Sequence, residues 1–282
     1  MNDNSNTIPV SVPVTVITPP QGWQLIDFKE LKEYRDLFYF LVWRNIKVLY
    51  AQTILGFGWA ILQPLVQIVI FTFIFGKVAQ IPSDGIPYPL FSTVAIIPWT
   101  YMSTAMSTSS QSLVAGQAML GKVYFPRLLF PVTPVLTHMV DFIISMVLVI
   151  CVAVYYKVSL SWNIVFLPLF ILMMMAVPLA VGLWLSSLSI RFRDVKFAMQ
   201  FVIRMLMYSA PIVYSASSIP ESYRLLYSLN PIVGVIEGFR AVLVGQEIPW
   251  QYIVPGMAST AVLLVMGALY FKRTERVVVD VI

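Results

Sequence analysis

Cysteine and histidine are nearly absent: Cys151 and His138 occur once each in 282 residues. A single cysteine excludes a disulfide framework within the chain, and it sits in an apolar run as a small apolar residue would. One histidine and one cysteine leave no cluster at metal-ligand spacing, so no metal site is expected. No G-x-x-x-x-G-K-[ST] phosphate loop occurs, so ATP binding in the usual way is not expected of this chain. There is no G-x-S-x-G elbow either. With no catalytic constellation, the chain reads as a transporter, channel or membrane scaffold rather than an enzyme. Charge is scarce too, at 11% of residues where an average soluble domain carries about a quarter. The net charge of +5 is not gathered into a basic patch interleaved with stacking aromatics, so nucleic acid is not an expected partner.

What is abundant is apolar length: 59% of residues are hydrophobic. The stretch that organises the chain begins at Trp43, carries Arg44 and Lys47, and then runs without charge from Val48 to Gly76. That exceeds the roughly 20 apolar residues needed to cross a hydrocarbon core. Gly56 and Gly58 permit a bend or a close helix contact. Pro64 is tolerable if a neighbour satisfies the carbonyl it frees.

The segments around this span fall in order. Residues 1–22, with Pro9, Pro13, Pro19 and Pro20, read as a flexible tail whose prolines oppose helix. No basic n-region precedes an apolar core there, so a cleaved signal peptide is not expected. Residues 23–47 place Leu31, Tyr34, Phe38 and Leu41 at helical spacing opposite a charged face, the pattern of an amphipathic helix lying in the membrane interface. Residues 48–271 read as a six-span domain, followed by a basic tail over 272–282. The expected spans are 48–76, 86 to about 117, 128–156, 158–190, 197–215 and 250–271. Between the last two lie apolar pieces over 219–229 and 231–244, split by Asn230-Pro231 and each too short to span. They read as re-entrant or interfacial half-helices, which must be buried in protein or line water.

Charge asymmetry orients this arrangement. Lys and Arg at 29, 32, 35, 44, 47, 122, 127, 191, 193, 196, 272, 273 and 276 fall on one side, thirteen in all, against four at 77, 157, 224 and 240. The excess places both termini in the cytoplasm. The expected fold is therefore an all-α integral membrane protein with six transmembrane helices, an N-terminal interfacial helix and short periplasmic half-helices.

Polar residues inside spans mark the points of interest. From Ser103 to Gln117 hydroxyls and amides accumulate; they serve either helix packing or the wall of a wet pathway. His138 and Asp141 stand three apart on one helical face. An ionisable group within a span is expensive and usually paired. Asp141 is expected to pair with His138 or, from a later span, with Arg204.

Several segments taken together carry a resemblance: RNIKVLYAQTILGFGWAILQPL, KVYFPRLLFPV, RFRDVKFAMQF with APIVYS, and LNPIVGVIEGFRAVLVG. In this order they resemble the permease subunit of polysaccharide-exporting ABC transporters of the ABC-2 type, as in O-antigen export, over about residues 30–275. The resemblance implies a homodimer of the six-span subunit in the bacterial inner membrane with two separate ATPase subunits, which bind ATP and magnesium; the permease itself needs no cofactor. It implies a polyprenyl-pyrophosphate-linked polysaccharide as substrate. Loops around Phe125, Pro126 and Arg127 and around Arg191, Arg193 and Asp194 would touch the ATPases, or anchor to anionic lipid headgroups. Asn230, Pro231, Glu237 and Arg240 would sit at a periplasmic gate. Trp59, Trp99, Tyr101, Tyr208 and Tyr214 would line a sugar pathway or form an interfacial belt. Arg44 or Lys47 would meet the lipid pyrophosphate. A teichoic-acid or capsular exporter of the same superfamily shares these features, and an ABC-2 drug or lipid exporter shares many. A membrane-embedded glycosyltransferase or a scaffold would need no ATPase partner.

Overall fold

The computed structural model describes residues 32–121, 125–159 and 161–281, with side chains to Thr274. The tail over 1–22, the start of the amphipathic segment and Lys122 lie outside the described residues. Among the described residues the fold is entirely helical.

Helix α1 (Arg35–Tyr50) ends where Ala51 turns extended. Gln52 follows at φ 59° and Gly56 at φ 51°, a left-handed geometry that suits glycine and bends the chain. A tight turn, Gly56–Gly58, leads into α2 (Trp59–Phe71), which continues through a wider turn over Thr72–Val78. Pro64 inside α2 cannot donate to the carbonyl of Ala60. The Ser145 hydroxyl stands in for it, lying 2.7 Å from that carbonyl and 2.7 Å from Asp141 O, with one proton to share between them.

Helix α3 (Tyr88–Ser110) is the axis of the molecule. Phe91, Val94, Ala95, Ile96, Met102 and Met106 along it are wholly buried. They pack against α2, then α6 (Leu129–Thr137) and α7 (Met139–Tyr155), α8 (Leu167–Arg191) and α11 (Pro231–Val244). Two single-turn helices, α4 (Ser112–Ala115) and α5 (Gln117–Leu120), lead away from its end. Gly182 of α8 has no Cβ for a reason: one built there would fall 1.9 Å from Ser109 Oγ, so the α3–α8 crossing is set by that glycine.

Helix α9 (Val195–Ser209) is short and packs through Val195 and Met199. Helices α10 (Glu221–Ser228) and α11 meet at 101°. Asn230 makes the corner, its side-chain oxygen accepting from the Ile232 amide at 3.1 Å, with Pro231 opening α11; this is the cap chemistry expected at a helix start. Gly245 at φ 80° closes α11. The long α12 (Trp250–Val281) lies along α8, where Gly267 admits Trp184 and Trp184 stacks on Tyr270 at 5.4 Å.

Among the described residues, four continuous helical stretches are long and apolar enough to cross a membrane: Gly56–Val78, Leu129–Tyr155, Trp162–Arg191 and Trp250–Thr274. The bent α10–α11 pair makes a fifth if taken as one span. The expected second and fifth spans fall short for different reasons. Helix α3 spans 23 residues but its hydroxyls dilute the apolar character, and α9 has 15 residues, below the roughly 20 that span a core.

Candidate functional site

The polar segment predicted from Ser103 onward folds as one face of α3. Thr100, Ser103, Thr104, Ser107, Thr108 and Gln111 recur at helical spacing and are exposed or half-buried, while the opposite face is core. Three of its hydroxyls bond back to the helix: Thr100 donates to Ile96 O at 2.8 Å, Ser103 to Thr100 O at 3.0 Å and Thr108 to Thr104 O at 2.8 Å. Those three show outward their acceptor lone pairs.

Two cavities flank this face. One, of about 260 Å³, lies between α1, α3 and α6 and is lined by Arg44, Asn45, Thr108, Ser112, Thr133, Thr137 and His138. The Ser112 hydroxyl there is buried and has no hydrogen-bond partner among the described residues. The other, of about 200 Å³, lies between α2, α3 and α7 and is lined by Tyr50, Trp59, Gln63, Thr100, Tyr101, Thr104, His138, Asp141 and Ser145, among others. His138 borders both.

At their junction stands a polar node. Asp141 accepts from the Tyr50 hydroxyl and faces His138 Nδ1 at 2.9 Å. It thereby ties the end of α1 to the start of α7. Of the two partners expected for Asp141, His138 is the one found. Among the described residues Arg204 makes no ion pair and stands exposed on α9, so the Asp141–Arg204 pair does not form within this chain. Tyr50 lies 91 residues away and no local pattern points to it; Ser145 was equally hidden.

The other predicted residues do not converge on one site. Trp59 borders the second cavity, 45% exposed. Tyr101 also borders it, but is buried with its hydroxyl on Val135 O at 2.8 Å. Trp99 is buried in the core instead of lining an open path. Tyr208 is exposed at the end of α9, and Tyr214 donates to its carbonyl at 3.2 Å. Arg44 is exposed at the first cavity and bonded to Asn45 at 3.3 Å. Lys47 lies 5.5 Å over the Trp43 ring.

Phe125 and Pro126 are buried inside the chain, Phe125 packing on Phe130 at 5.3 Å. That leaves Arg127, half-buried, as the outermost of the three. The other charged loop is open: Arg191, Phe192, Arg193 and Asp194 are all exposed. Glu237 and Arg240 form a buried ion pair. Arg240 is 1% exposed, lies 3.8 Å over the Phe91 ring and donates to Pro211 O at 2.7 Å. This pair binds α11 to α3.

An all-helical body with several membrane-length helices, a polar face along its central helix and no nucleotide loop has the form of a membrane-transport subunit. The sequence profile of the ABC-2 type transporter family matches residues 36–244, and the chain belongs to that family. Its relatives include the O-antigen export system permease protein RfbA of Myxococcus xanthus, 28% identical over 88% of this chain and 95% of the relative. RfbA of Klebsiella pneumoniae is 27% identical over 85% and 92%. The polysialic acid transport protein KpsM of Escherichia coli is 25% identical over 82% and 91%.

Proposed function

We propose that this chain is the permease subunit of an ABC transporter that exports a polysaccharide, of the O-antigen type, across the bacterial inner membrane. The observation that carries the reading is the hydroxyl face of α3 with its two cavities, a polar surface on an otherwise apolar helical body. The names of the relatives above favour a glycan as the cargo. Sugars present hydroxyls that both donate and accept, and the hydroxyls and amide of this face can do the same.

In this reading the chain crosses the membrane six times. Helix α3 serves as a span because protein covers most of it, which relaxes the hydropathy requirement, and α9, largely exposed within the single chain, serves as a short span. Both termini face the cytoplasm, in keeping with the thirteen-to-four charge asymmetry. Two copies assemble with two ATPase subunits, which bind ATP and magnesium and supply the energy. The exposed loop Arg191–Phe192–Arg193–Asp194, with Arg127, receives the movement of the ATPases. Buried Phe125 and Pro126 anchor the second of these contacts to α1 through the cluster of Leu41, Phe130 and Phe271. Arg44 and Lys47 meet the pyrophosphate of a lipid-linked glycan at the interface. The α10–α11 corner at Asn230–Pro231 lies at the exit, held to α3 by Glu237 and Arg240.

Reconstitution tests this reading. Proteoliposomes containing this chain and a cognate ABC ATPase should export lipid-linked polysaccharide only when both proteins and ATP are present. Export by the chain alone, or failure to bind an ATPase, would overturn it. Transport of a teichoic acid or a capsular glycan in place of an O-antigen would keep the class and change the cargo.

A further inference from the structure

The two cavities lie one after the other along the same face of α3. Thr108 lines the first and Thr104 the second, one turn and about 6 Å apart along the helix. Between them stands a wall: Leu49 and His138 border both cavities, with Tyr50 and Asp141 beside them. The Tyr50 hydroxyl donates to one carboxylate oxygen of Asp141, and His138 Nδ1 lies 2.9 Å from the other. His138 is buried where α6 passes into α7, so that half of the wall is fixed by the core. The Tyr50 half is held differently. Leu41 is the buried residue of α1, and none of the residues after it is buried. Beyond Tyr50 the linker from Ala51 to Leu55 is exposed throughout. Gln52 and Gly56 stand there at φ 59° and 51°, and a Cβ built on Gly56 would meet nothing within 4 Å. The Tyr50 ring rests on Phe57 at 4.0 Å, but Phe57 moves with the linker. Its hydroxyl bond to Asp141 is what joins the end of α1 to α7.

We propose that the Tyr50–Asp141 bond is a latch that keeps the two cavities apart, and that transport requires its release. The proposal rests on the transport reading above. With the latch closed, the hydroxyl face of α3 is cut at one turn, and a polymer longer than either cavity cannot lie along it. With the latch released, the end of α1 swings from α7 on the exposed linker and carries Leu49 and Tyr50 out of the wall. The cavities of about 260 and 200 Å³ then join into one groove. The drive reaches the latch through α1 itself. Leu41 packs in one cluster with Phe125, Leu129 and Phe130, beside Arg127, so a push on that loop turns α1 about Leu41 and pulls at Tyr50. A hydrogen bond to a carboxylate is strong enough that its loss shifts such an equilibrium about ten- to a hundredfold.

The test uses the full transporter in membranes, with Cys151→Ser removing the native thiol and Ser112→Cys placing one in the first cavity. Ser112 is buried and its hydroxyl has no partner among the described residues, so the exchange is nearly isosteric and gives up no bond seen there. The probe is a water-soluble methanethiosulfonate reagent. With the latch intact the thiol at 112 should label slowly. Tyr50→Phe keeps the ring on Phe57 and removes the latch, so labelling at 112 should speed up about tenfold or more. A thiol from Ser228→Cys, buried in α10, reports on general loosening and should stay protected with or without Tyr50→Phe. An unchanged rate at 112 overturns the latch, and so does an equal rise at 228. In the protein that keeps Tyr50, adding ATP to a complex whose ATPase binds it without hydrolysing it should speed labelling at 112 several-fold. A rate indifferent to ATP overturns the gating role. As a second measure, Tyr50→Phe should raise ATP hydrolysis in the absence of glycan several-fold and lower the glycan exported per ATP; native values of both overturn the proposal. If the native complex exports no glycan at all, the proposed function falls, while the labelling rates still decide the latch.

Discussion

Arg240 is where the fold places its heaviest electrostatic demand. The guanidinium is 1% exposed and its partner Glu237 shows 12% of its side chain. Around the charge are the Phe91 ring at 3.8 Å and the Pro211 carbonyl at 2.7 Å, and Nε has no partner among the described residues. Removing one member of a buried pair strands the other, at about 3–5 kcal/mol. Arg240→Met keeps much of the volume and strands the Glu237 carboxylate, so it should destabilise by that amount. For a chain of this size it lowers Tm by on the order of 10 °C. Glu237→Leu should cost a similar amount by stranding the cation. The double variant removes both charges and should recover most of the loss, since an apolar replacement of a buried pair is often neutral. The assay is thermal unfolding of the four proteins in one detergent, read by tryptophan fluorescence. A Tm for Arg240→Met within about 2 °C of native, or a double variant worse than the sum of the singles, would refute the reasoning. The pair would then be better solvated than its burial says.

Other substitutions probe separate contacts. Gly182→Ala forces a Cβ against Ser109 Oγ, which cannot rotate without giving up its 2.7 Å bond to Pro131 O; a loss of about 1–3 kcal/mol should appear as a lower Tm, and a native Tm would show that α3 and α8 can shift apart. Ser145→Ala strands the Ala60 carbonyl that Pro64 leaves free, at about 1–3 kcal/mol; the same melt reads it, and no change would mean that water reaches that carbonyl. Replacing Arg191 and Arg193 together by Ala alters only exposed side chains. Folding should be unchanged, while co-purification of the ATPase and export both fall; full export would remove this loop from the coupling path.

Much of the arrangement was legible because membrane helices are written in local chemistry. Charge-free runs, Gly56, and the pair Asn230-Pro231 announce a bend and a corner that the structure places where backbone rules put them. The condition on Pro64 was readable as well, namely that some neighbour must take the freed carbonyl. Its identity was not, because Ser145 lies 85 residues away. The charged loops show the same limit. FPR and RFRD look alike as sequence, yet Phe125 and Pro126 turn inward while Arg191 to Asp194 stay out.

By itself, the sequence determined the membrane class, the helical composition, the lack of a nucleotide loop and the family, since each depends on composition or on segments read in order. The tertiary structure decided which polar groups meet. Asp141 had two plausible partners in sequence, His138 and Arg204; folding joined it to His138 and added Tyr50. It also sorted five candidate aromatics into core, cavity wall and helix end, and it turned Glu237 and Arg240 into a buried brace. The physical reason is the same in each case. A helix dictates its own periodicity, but the face that meets protein, lipid or a cavity is settled only when the other helices pack around it.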